Sequence, residues 1–433
     1  HYITMGESID MSRMSITRTV DSICRLLDRA IAMPELPERN AVNEFGRVNK
    51  VALRMLKARV LLWSASPLFN PEDNQSYYPS FNKQELIKHE TYDKNRWQEA
   101  ADACLEAINA AHGAGYALYT KYGDPVKDYK AAVTEFPDID ANGTAKGNPE
   151  IIWGTRPADS YASETYQSGS RVTIWSTLKQ LRGTVGTYLI PLQNMVDKYE
   201  LRDGSDQPSD YWETTSDPYN NLDRRFNATI YHHGYKLGKT VGPFTLDMRM
   251  EPAGDQYPAG AQNFTGYYLA KFFDDDYIAG AGNYPQAFWP YMRLSDLYLM
   301  YAEALNEVDY ASNSGEILHY VNLVRNRAGQ PNLEDKPGFQ ATQAYVRECI
   351  RKERIVELCY EDQIYFDYKR WKVGDKYIGG NMYGMKITGD MENPTFSKFL
   401  YETRVWSSKW YLFPLYQTDV LTTNGVLAQN PGW

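Results

Sequence analysis

The chain of 433 residues contains no run of 18 or more apolar residues, so the sequence predicts no helix that spans a membrane. Cysteine is scarce, and no CxxC spacing of the kind that holds zinc occurs. Each cysteine lies within a helical pattern, which indicates buried thiols that behave as small hydrophobic side chains. The cysteines are Cys24, Cys104, Cys349 and Cys359.

Positive charge is also in deficit, because 46 Lys and Arg face 55 Asp and Glu and give a formal net charge of −9. Binding to nucleic acid needs clustered positive charge, so the sequence argues against it. With only six histidines and no HExxH motif, a metallohydrolase is not expected. No GxSxG, P-loop or GxGxxG motif opens a helix after a strand. Carboxylates are plentiful, but the sequence singles out no pair that would flank a glycosidic bond.

One loop opens like an EF-hand calcium loop, with Asp138, Asp140 and Asn142 at ligand spacing. The motif then requires a bidentate glutamate, but Pro149 occupies that position, and Lys146 occupies another ligand position. The sequence therefore favours a polar turn, and we expect the protein to have no cofactor. A calcium ion held near the first three residues is the alternative.

Aromatic side chains are abundant, with 35 Tyr, 10 Trp and 15 Phe. Tyrosine and tryptophan stack on a ligand and also form hydrogen bonds, so their excess over phenylalanine suits a binding surface. A tyrosine-rich core and rim is the alternative interpretation. Composition alone does not decide between the two.

The stretch RLSDLYLMYAEALNEV (293–308) has the clearest helical pattern. Its apolar side chains recur at spacings of three and four, which places them on one face of an α-helix. A polar run at 312–315 follows, and the pattern predicts a second helix at 316–328. Two helices joined by a short polar turn form an αα-hairpin, the unit of tetratricopeptide-like repeats.

Further helical patterns occur at 13–33, 44–66 and 340–371. We therefore predict a mostly α fold, in which a tetratricopeptide-like helical-repeat scaffold carries a large irregular, loop-rich insertion with short β-strands. After residue 371 the sequence predicts loops and one last turn at 417–421. The predicted regions are helical repeats at 1–135, a loop-rich variable ligand-binding region at 136–289, and helical repeats with a tail at 290–433.

The segment 347–372 is dense in charged residues, and its glutamates Glu357 and Glu361 lie four residues apart. On one helix face they repel each other unless a cation lies between them. The candidates for that cation are Arg325, Arg327 and Arg370. We interpret the group as a structural charge network between helices rather than a ligand site. Its predicted members are Arg325, Arg327, Arg354, Glu357, Glu361 and Arg370.

Several stretches of the chain, taken together and in order, have the pattern of a known family: GRVNKVALRMLKARVLLWSASPLFNP (46–71), NPEIIW (148–153), PLQNMVDKYELRDG (191–204), DPYNNLDRRFNATIY (217–231), RLSDLYLMYAEALNE (293–307), VNLVRNRAGQP (321–331), RKERIVELCYEDQIYFDYKRW (351–371) and LFPLYQTDVLTTNGVLAQNPGW (412–433). They resemble SusD/RagB proteins, which are surface lipoproteins that capture nutrients at the outer membrane of certain Gram-negative bacteria. The resemblance covers nearly the whole chain, and the ordered set is far more specific than any single stretch.

The resemblance implies one SusD-like unit that captures an oligosaccharide without catalysis and delivers it to a SusC-like TonB-dependent transporter. Capture of a peptide by the same lid mechanism is the alternative within the family. Family members are lipid-anchored on the extracellular face of the outer membrane through an N-terminal cysteine, and they carry a first helical repeat before the helix predicted at 13–33. The sequence contains neither feature, since Cys24 lies within a helix, and we expect the numbering to begin inside the mature protein.

No motif of the family fixes the ligand contacts, so we choose candidates by residue type and loop position. The aromatic candidates, which would stack on the apolar faces of a sugar, are Trp175, Tyr161, Tyr166, Tyr77 and Tyr78, with Trp212 behind them. The polar candidates are Asn70 and Asp159. Each of these side chains has the alternative role of anchoring a loop on the scaffold.

Two other functions share some of these features. An α-helical glycoside hydrolase or lyase would carry a similar load of Tyr and Trp, and a pH-dependent cleavage product would reveal it. An intracellular tetratricopeptide adaptor would have a regular repeat with a concave groove, and the long aromatic interruption argues against it. Surface capture of a nutrient without catalysis is the function that the sequence favours.

Overall fold

The computed structural model describes most of the chain. The described residues are 12–135, 148–155, 189–237, 244–251, 254, 264–272, 289–423 and 425–433, with the backbone of 138–139 and 145–146. The helices are α1 (Ile16–Ile31), α2 (Lys50–Ala65), α3 (Asn95–Gly113), α4 (Pro125–Thr134), α5 (Gln193–Val196), α6 (Tyr211–Thr214), α7 (Arg225–Thr229), α8 (Leu294–Arg327), α9 (Gln343–Glu357), α10 (Ile364–Arg370), α11 (Gly374–Tyr377) and α12 (Gln417–Thr422). The strands are β1 (Asp138–Ile139), β2 (Ala145–Lys146), β3 (Ile151–Gly154), β4 (Ile230–Tyr231), β5 (Lys236–Leu237), β6 (Phe244–Thr245), β7 (Tyr268–Leu269), β8 (Pro290–Arg293), β9 (Gly380–Gly389) and β10 (Pro394–Arg404). No helix in these ranges is both long and apolar enough to cross a membrane.

The long helices form a layer in which each packs on the next: α1 on α2, α2 on α3, α3 on α8, and α8 on α9. The hydrophobic core of this layer is built mainly from α2, α3, α8 and α9. On α3 the fully buried residues Ala100, Cys104 and Ala107 face this core, and such small side chains let neighbouring helices approach closely. The predicted mostly α fold is thereby confirmed, and the pairwise packing is consistent with a tetratricopeptide-like scaffold.

Helix α8 differs from the predicted pair of helices. It continues through the polar residues 312–315 and breaks at Asp309 instead, where the backbone is extended (φ −173°, ψ 104°). The carboxylate of Asp309 accepts hydrogen bonds from Ala311 N (3.1 Å) and Ser312 Oγ (2.7 Å), as the carboxylate of an N-cap residue does. The predicted turn at 312–315 is therefore wrong, because a capping aspartate starts the second half of the helix earlier.

A second core, separate from that of the helical layer, consists largely of aromatic side chains from the region predicted to bind ligand. Trp212, Tyr219, Phe226 and Tyr267 are almost fully buried there. Tyr219 stacks on Phe226 with 5.6 Å between ring centroids and 5° between planes. In this part of 136–289 the tyrosines are core residues. The predicted boundaries at 136 and 290 stay a prediction.

Strands β9 and β10 form an antiparallel hairpin with a bulge between Leu400 and Glu402. The sequence predicts loops here, and that prediction is wrong. From β9 the side chains of Met385 and Ile387 enter the second core, and from β10 the ring of Phe396 does so. The rest of β10 is exposed or only partly buried, so its sequence lacks the alternation of apolar and polar residues that marks a strand.

Candidate functional site

Glu357 on α9 is the centre of a buried ion-pair network. Its fully buried carboxylate lies 2.6 Å from Arg293 Nη1 and 3.0 Å from Arg225 Nη1, and it also pairs with Arg327. Burial alone would raise the pKa of Glu357, but the charges of Arg327, Arg293 and Arg225 hold that pKa well below its usual range. The carboxylate therefore stays charged inside the protein.

Arg293, at the end of β8, is the cation that separates Glu357 from Glu361. Its Nη1 lies 2.6 Å from Glu357 Oε1, and its Nε lies 2.8 Å from Glu361 Oε2. Lys271 Nζ adds a second cation at 2.6 Å from Glu361 Oε1. The predicted repulsion between the two glutamates is relieved by residues that the sequence did not single out.

The arginines predicted for that role are distributed differently. Arg327 contacts Glu357, as expected for one of the three. Arg325 Nη1 instead lies 3.0 Å from Glu200 Oε2 and 3.1 Å from Glu353 Oε2. Arg325 is therefore a neighbour of the Glu357 network through Glu353 and not the bridging cation.

Arg370 and Arg354 lie in a second buried cluster, so the prediction of Arg370 as the bridging cation is wrong as well. Arg370 Nη1 lies 2.6 Å from Glu303 Oε1, and Arg354 Nη1 lies 2.9 Å from Asp296 Oδ1. Both guanidinium groups contact Asp367, at 2.7 Å and 2.9 Å. This cluster joins α8, α9 and α10 across the helical layer.

The Glu303 carboxylate makes the stability of the fold dependent on pH. Burial alone would raise its pKa, but Arg370, Arg354 and a hydrogen bond from Trp371 lower it to about 2. In the unfolded chain this carboxyl has the ordinary glutamate pKa of 4.5, so the stabilisation is complete above pH of about 4.5 and is lost as the pH falls toward 2. We expect the free energy of unfolding of Glu303→Gln, measured in urea, to fall less steeply than that of the wild type in this pH window. An equal dependence of the unfolding free energy on pH in the two proteins would contradict the lowered pKa of Glu303.

The Glu357 network anchors the strand pair β3–β8, which we call the stem. Glu150 precedes β3 and Arg293 ends β8, and their side chains pair at 2.8 Å. Arg327 from α8 lies 2.7 Å from Glu150 and also contacts Glu357. The stem is therefore fixed to the helical scaffold by buried charge-assisted hydrogen bonds.

The stem is an irregular antiparallel pair of strands that continues past its last residue pair. Thr155 N donates to Trp289 O (2.9 Å), and Trp289 N donates to Thr155 Oγ1 (2.7 Å). Gly154 permits this close approach, because a Cβ atom there would lie 2.7 Å from Trp289 O and 3.4 Å from a ring carbon of Phe45. A larger residue at 154 would push the two strands and the 39–49 loop apart.

Trp153 and Tyr291 form an aromatic pair on the stem. Their ring centroids lie 5.0 Å apart with 40° between planes, and Tyr291 is 41% exposed while Trp153 is half-buried. Trp153 Nε1 donates to Gly46 O (2.9 Å), and Arg59 Nη2 donates to Tyr291 O (3.1 Å). The pair is thus held in position before any ligand arrives.

A cleft of about 300 Å³ opens beside Trp153, and we call it the stem cleft. It is lined by residues 39–42, 45–47, 49, 116 and 151–153, and its size is at the lower end of the range for small-molecule sites. Two of the lining residues are in contact, since Arg39 Cζ lies 4.3 Å from the centroid of the Tyr116 ring. Aromatic rings, amides and guanidinium groups therefore meet in one concave surface.

Comparisons with known proteins identify the family of the chain. The model of the SusD family matches residues 149–433, well over half of the chain. The chain belongs to the SusD family. The SusD-like protein P2 from Formosa agariphila is 28% identical over 170 residues, which cover 38% of this chain and 30% of that relative. The match therefore spans less than a third of the relative's length.

Solved structures have the same fold as this SusD-family chain. A SusD-like protein from Bacteroides fragilis aligns with a TM-score of 0.73 at 24% identity and covers 100% of this chain and 74% of that chain. Surface glycan-binding protein A from Bacteroides thetaiotaomicron, solved in complex with laminarihexaose, aligns with a TM-score of 0.54 at 18% identity and covers 96% of this chain and 70% of that chain. At these identities the likeness concerns the fold.

Four of the predicted ligand residues, Asp159, Tyr161, Tyr166 and Trp175, lie outside the described residues. In the sequence they follow Thr155, where the stem strand β3 has ended. Their roles stay predictions.

Tyr77 and Tyr78 belong to a loop that packs against the C-terminal part of the chain. The Tyr77 ring meets the Tyr411 ring at 5.4 Å between centroids, and burial raises the pKa of Tyr77. The Tyr78 ring lies so close to Gly432 that a Cβ atom there would come within 3.3 Å of it. Neither tyrosine lines the stem cleft, and both contacts fit the alternative role of loop anchors.

Trp212 and Asn70 are each only 2% exposed, so the structure corrects their prediction as ligand contacts. Trp212 lies in the second core, where its Nε1 donates to Gln207 Oε1 (3.1 Å). Asn70 exchanges two hydrogen bonds with the backbone of Asp93, at 2.9 Å and 3.0 Å. Both side chains are taken up by contacts within the fold and are not available to a ligand.

Sequence reasoning missed Trp153, which lines the stem cleft, and its aromatic partner Tyr291 on the stem. Trp153 follows two isoleucines and has the pattern of a buried strand, while Tyr291 lies between a proline and the clearest helix of the chain. The available signal was the aromatic residue on each of the two segments that flank the irregular region. Antiparallel pairing of those segments brings the two rings together.

The alternative calcium loop falls on residues whose side chains lie outside the described part of the structure, namely Asp138, Asp140 and Asn142. Among the described residues, no group of three or more His, Cys, Asp and Glu could hold a metal ion. The expectation of a protein without a cofactor stays a prediction.

Proposed function

We propose that this SusD-family protein captures a nutrient oligosaccharide at the cell surface, without cleaving it, and delivers it to a SusC-like TonB-dependent transporter. The observation that carries the proposal is the fixed aromatic pair of Trp153 and Tyr291 beside the stem cleft. Family membership supports it, as does a structural relative that was solved with laminarihexaose. The protein would act on the extracellular face of the outer membrane, held there by a lipid anchor.

The chemistry of sugars explains why an aromatic pair suits this role. A pyranose ring has apolar C–H faces and a rim of hydroxyl groups, so it stacks on an indole or phenol ring while amides bind its hydroxyls. Asn40 and Asn49 line the same cleft as Trp153. Binding then needs little movement, because hydrogen bonds already hold Trp153 and the Tyr291 backbone.

The composition of the cleft supports capture rather than cleavage. Most glycoside hydrolases use a pair of carboxylates, one on each side of the scissile bond. Among the described residues that line the stem cleft, none is an aspartate or a glutamate. Glu44 lies in the same loop but outside the lining, and its carboxylate pairs with Arg47 at 2.6 Å.

The test is calorimetric titration of the purified chain against a panel of oligosaccharides and peptides, with each mixture then analysed for breakdown products. We expect saturable binding of at least one oligosaccharide and no shorter products. Binding with turnover would instead favour the glycoside hydrolase or lyase. Binding of peptides alone would replace the proposed ligand class while keeping the capture role.

A further inference from the structure

We propose that the oligosaccharide carries an anionic group, a carboxylate or a sulfate, and that Arg39 in the stem cleft binds it. This inference rests on the proposed function and adds the charge class of the ligand. Three features of Arg39 carry it: its fixed position, its unused hydrogen-bond donors, and the pairing of the carboxylates around it.

The guanidinium group of Arg39 is held from one side only. Its Cζ lies 4.3 Å from the centroid of the Tyr116 ring, and its Nη1 donates to Gly115 O at 2.9 Å and to Ala114 O at 3.4 Å. Nε and Nη2 donate to no group in the described part of the chain. Those two atoms form the edge of a guanidinium group that matches the two oxygens of a carboxylate or sulfate.

Two carboxylates near Arg39 in the sequence, those of Glu38 and Glu44, are paired with other arginines. Glu38 Oε2 lies 2.6 Å from Arg54 Nη1, and Glu44 Oε2 lies 2.6 Å from Arg47 Nε. Arg39 is in no ion pair within the described residues. The cleft therefore presents an uncompensated positive charge on a chain whose formal net charge is −9, and an anion would be attracted to this place against the general repulsion.

The side chain of Arg39 is already ordered before an anionic ligand binds. The ring of Tyr116 and the carbonyls at the end of α3 fix the guanidinium plane, so little side-chain entropy remains to be lost on binding. A lysine at this position would keep the charge but would lose the planar, two-point contact. The two effects of charge and geometry can thus be separated by substitution.

The experiment compares three probes of equal length by calorimetry: a galacturonic acid oligomer, a sulfated oligosaccharide and neutral laminarihexaose. The wild-type chain should bind at least one anionic probe about 10-fold or more tightly than the neutral one, because charge-assisted hydrogen bonds are the stronger kind. The preference should shrink as salt is raised. Arg39→Gln should abolish it, and Arg39→Lys should keep part of it.

Arg25→Gln is the matched control, since it removes one exposed positive charge from α1, away from the residues that line the cleft. It should leave the preference unchanged. Equal binding of neutral and anionic probes, with equal losses in Arg39→Gln, would overturn the inference and leave the proposed function intact. No binding of any saccharide would overturn both. If Arg39→Gln does not fold, the salt dependence of the wild type and the Arg39→Lys variant decide the question.

Discussion

Replacing Glu357 by glutamine is expected to lower the free energy of unfolding by about 3–5 kcal/mol, the usual cost of removing one partner from a buried ion pair. The substitution keeps the shape of the side chain but leaves Arg225, Arg293 and Arg327 buried with one carboxylate fewer. Each guanidinium group then lacks part of the charge that offsets its desolvation. Urea unfolding at neutral pH measures the change as a shift in midpoint at constant slope.

The matched control is Glu348→Gln on the same helix. Its side chain is 58% exposed and pairs with Arg351 at 3.0 Å, and an exposed pair of this kind contributes about 0–1 kcal/mol. A much larger loss of unfolding free energy in Glu357→Gln than in Glu348→Gln would show that the buried network, and not charge on α9 in general, stabilises the fold. If Glu357→Gln cost no more than Glu348→Gln, the network would not be what holds the stem to the scaffold.

Replacing Trp153 by alanine is expected to weaken binding of the captured oligosaccharide by about 30-fold or more, as truncation of a central aromatic contact does in binding sites. The indole ring supplies the stacking surface next to Tyr291 and ties the stem to the loop at Gly46. Trp153→Phe should recover much of the affinity, because it keeps an aromatic ring while losing the hydrogen bond and part of the stacking surface. Calorimetric titration with the saccharide identified in the panel measures both variants.

Trp63→Ala serves as the control for the loss of an indole. The N-terminal end of α2 at Lys50 adjoins the stem cleft, and Trp63 lies near the C-terminal end, about 20 Å away along the helix axis. There the half-buried ring of Trp63 packs against Phe366, with 5.7 Å between ring centroids. It should change stability and leave saccharide affinity within about two-fold. An equal loss of affinity in both variants would mean that Trp153 acts through folding rather than through contact.

The helical part of this fold could be predicted from sequence because its information is local. Apolar side chains at spacings of three and four define a helix without knowledge of its neighbours, and α1 and α2 lie where those spacings put them. The single helical pattern at 340–371 is instead divided in the structure between α9 and α10. The position of the break in α8 could not be predicted in the same way. It depends on whether the carboxylate of Asp309 caps a new helical segment or leaves the helix to continue, and both outcomes are compatible with the same residues.

The ion-pair network could be predicted in part. The close spacing of Glu357 and Glu361 signals that a cation must lie between them, but many arginines are compatible with that requirement. Arg293 takes the position because the antiparallel stem brings the end of β8 to α9. That pairing joins segments far apart in the sequence, and no local pattern encodes it.

The candidate site was the least predictable part for a different reason. Tyrosine and tryptophan serve both as ligand contacts and as core residues, and composition does not separate the roles. Trp212 and Tyr219 lie in a core, whereas Tyr291 is exposed on the stem. Only burial in the folded structure distinguishes these cases.

The most direct test of the account is hydrogen–deuterium exchange of the chain with and without saturating oligosaccharide. Capture at the stem cleft predicts slower exchange in peptides that cover 39–49, 151–155 and 289–292, because binding there would suppress local opening. The network residues of α9 should change little, since they are already buried. Protection confined to the loop that contains Tyr77 and Tyr78, with none at the stem, would contradict the account.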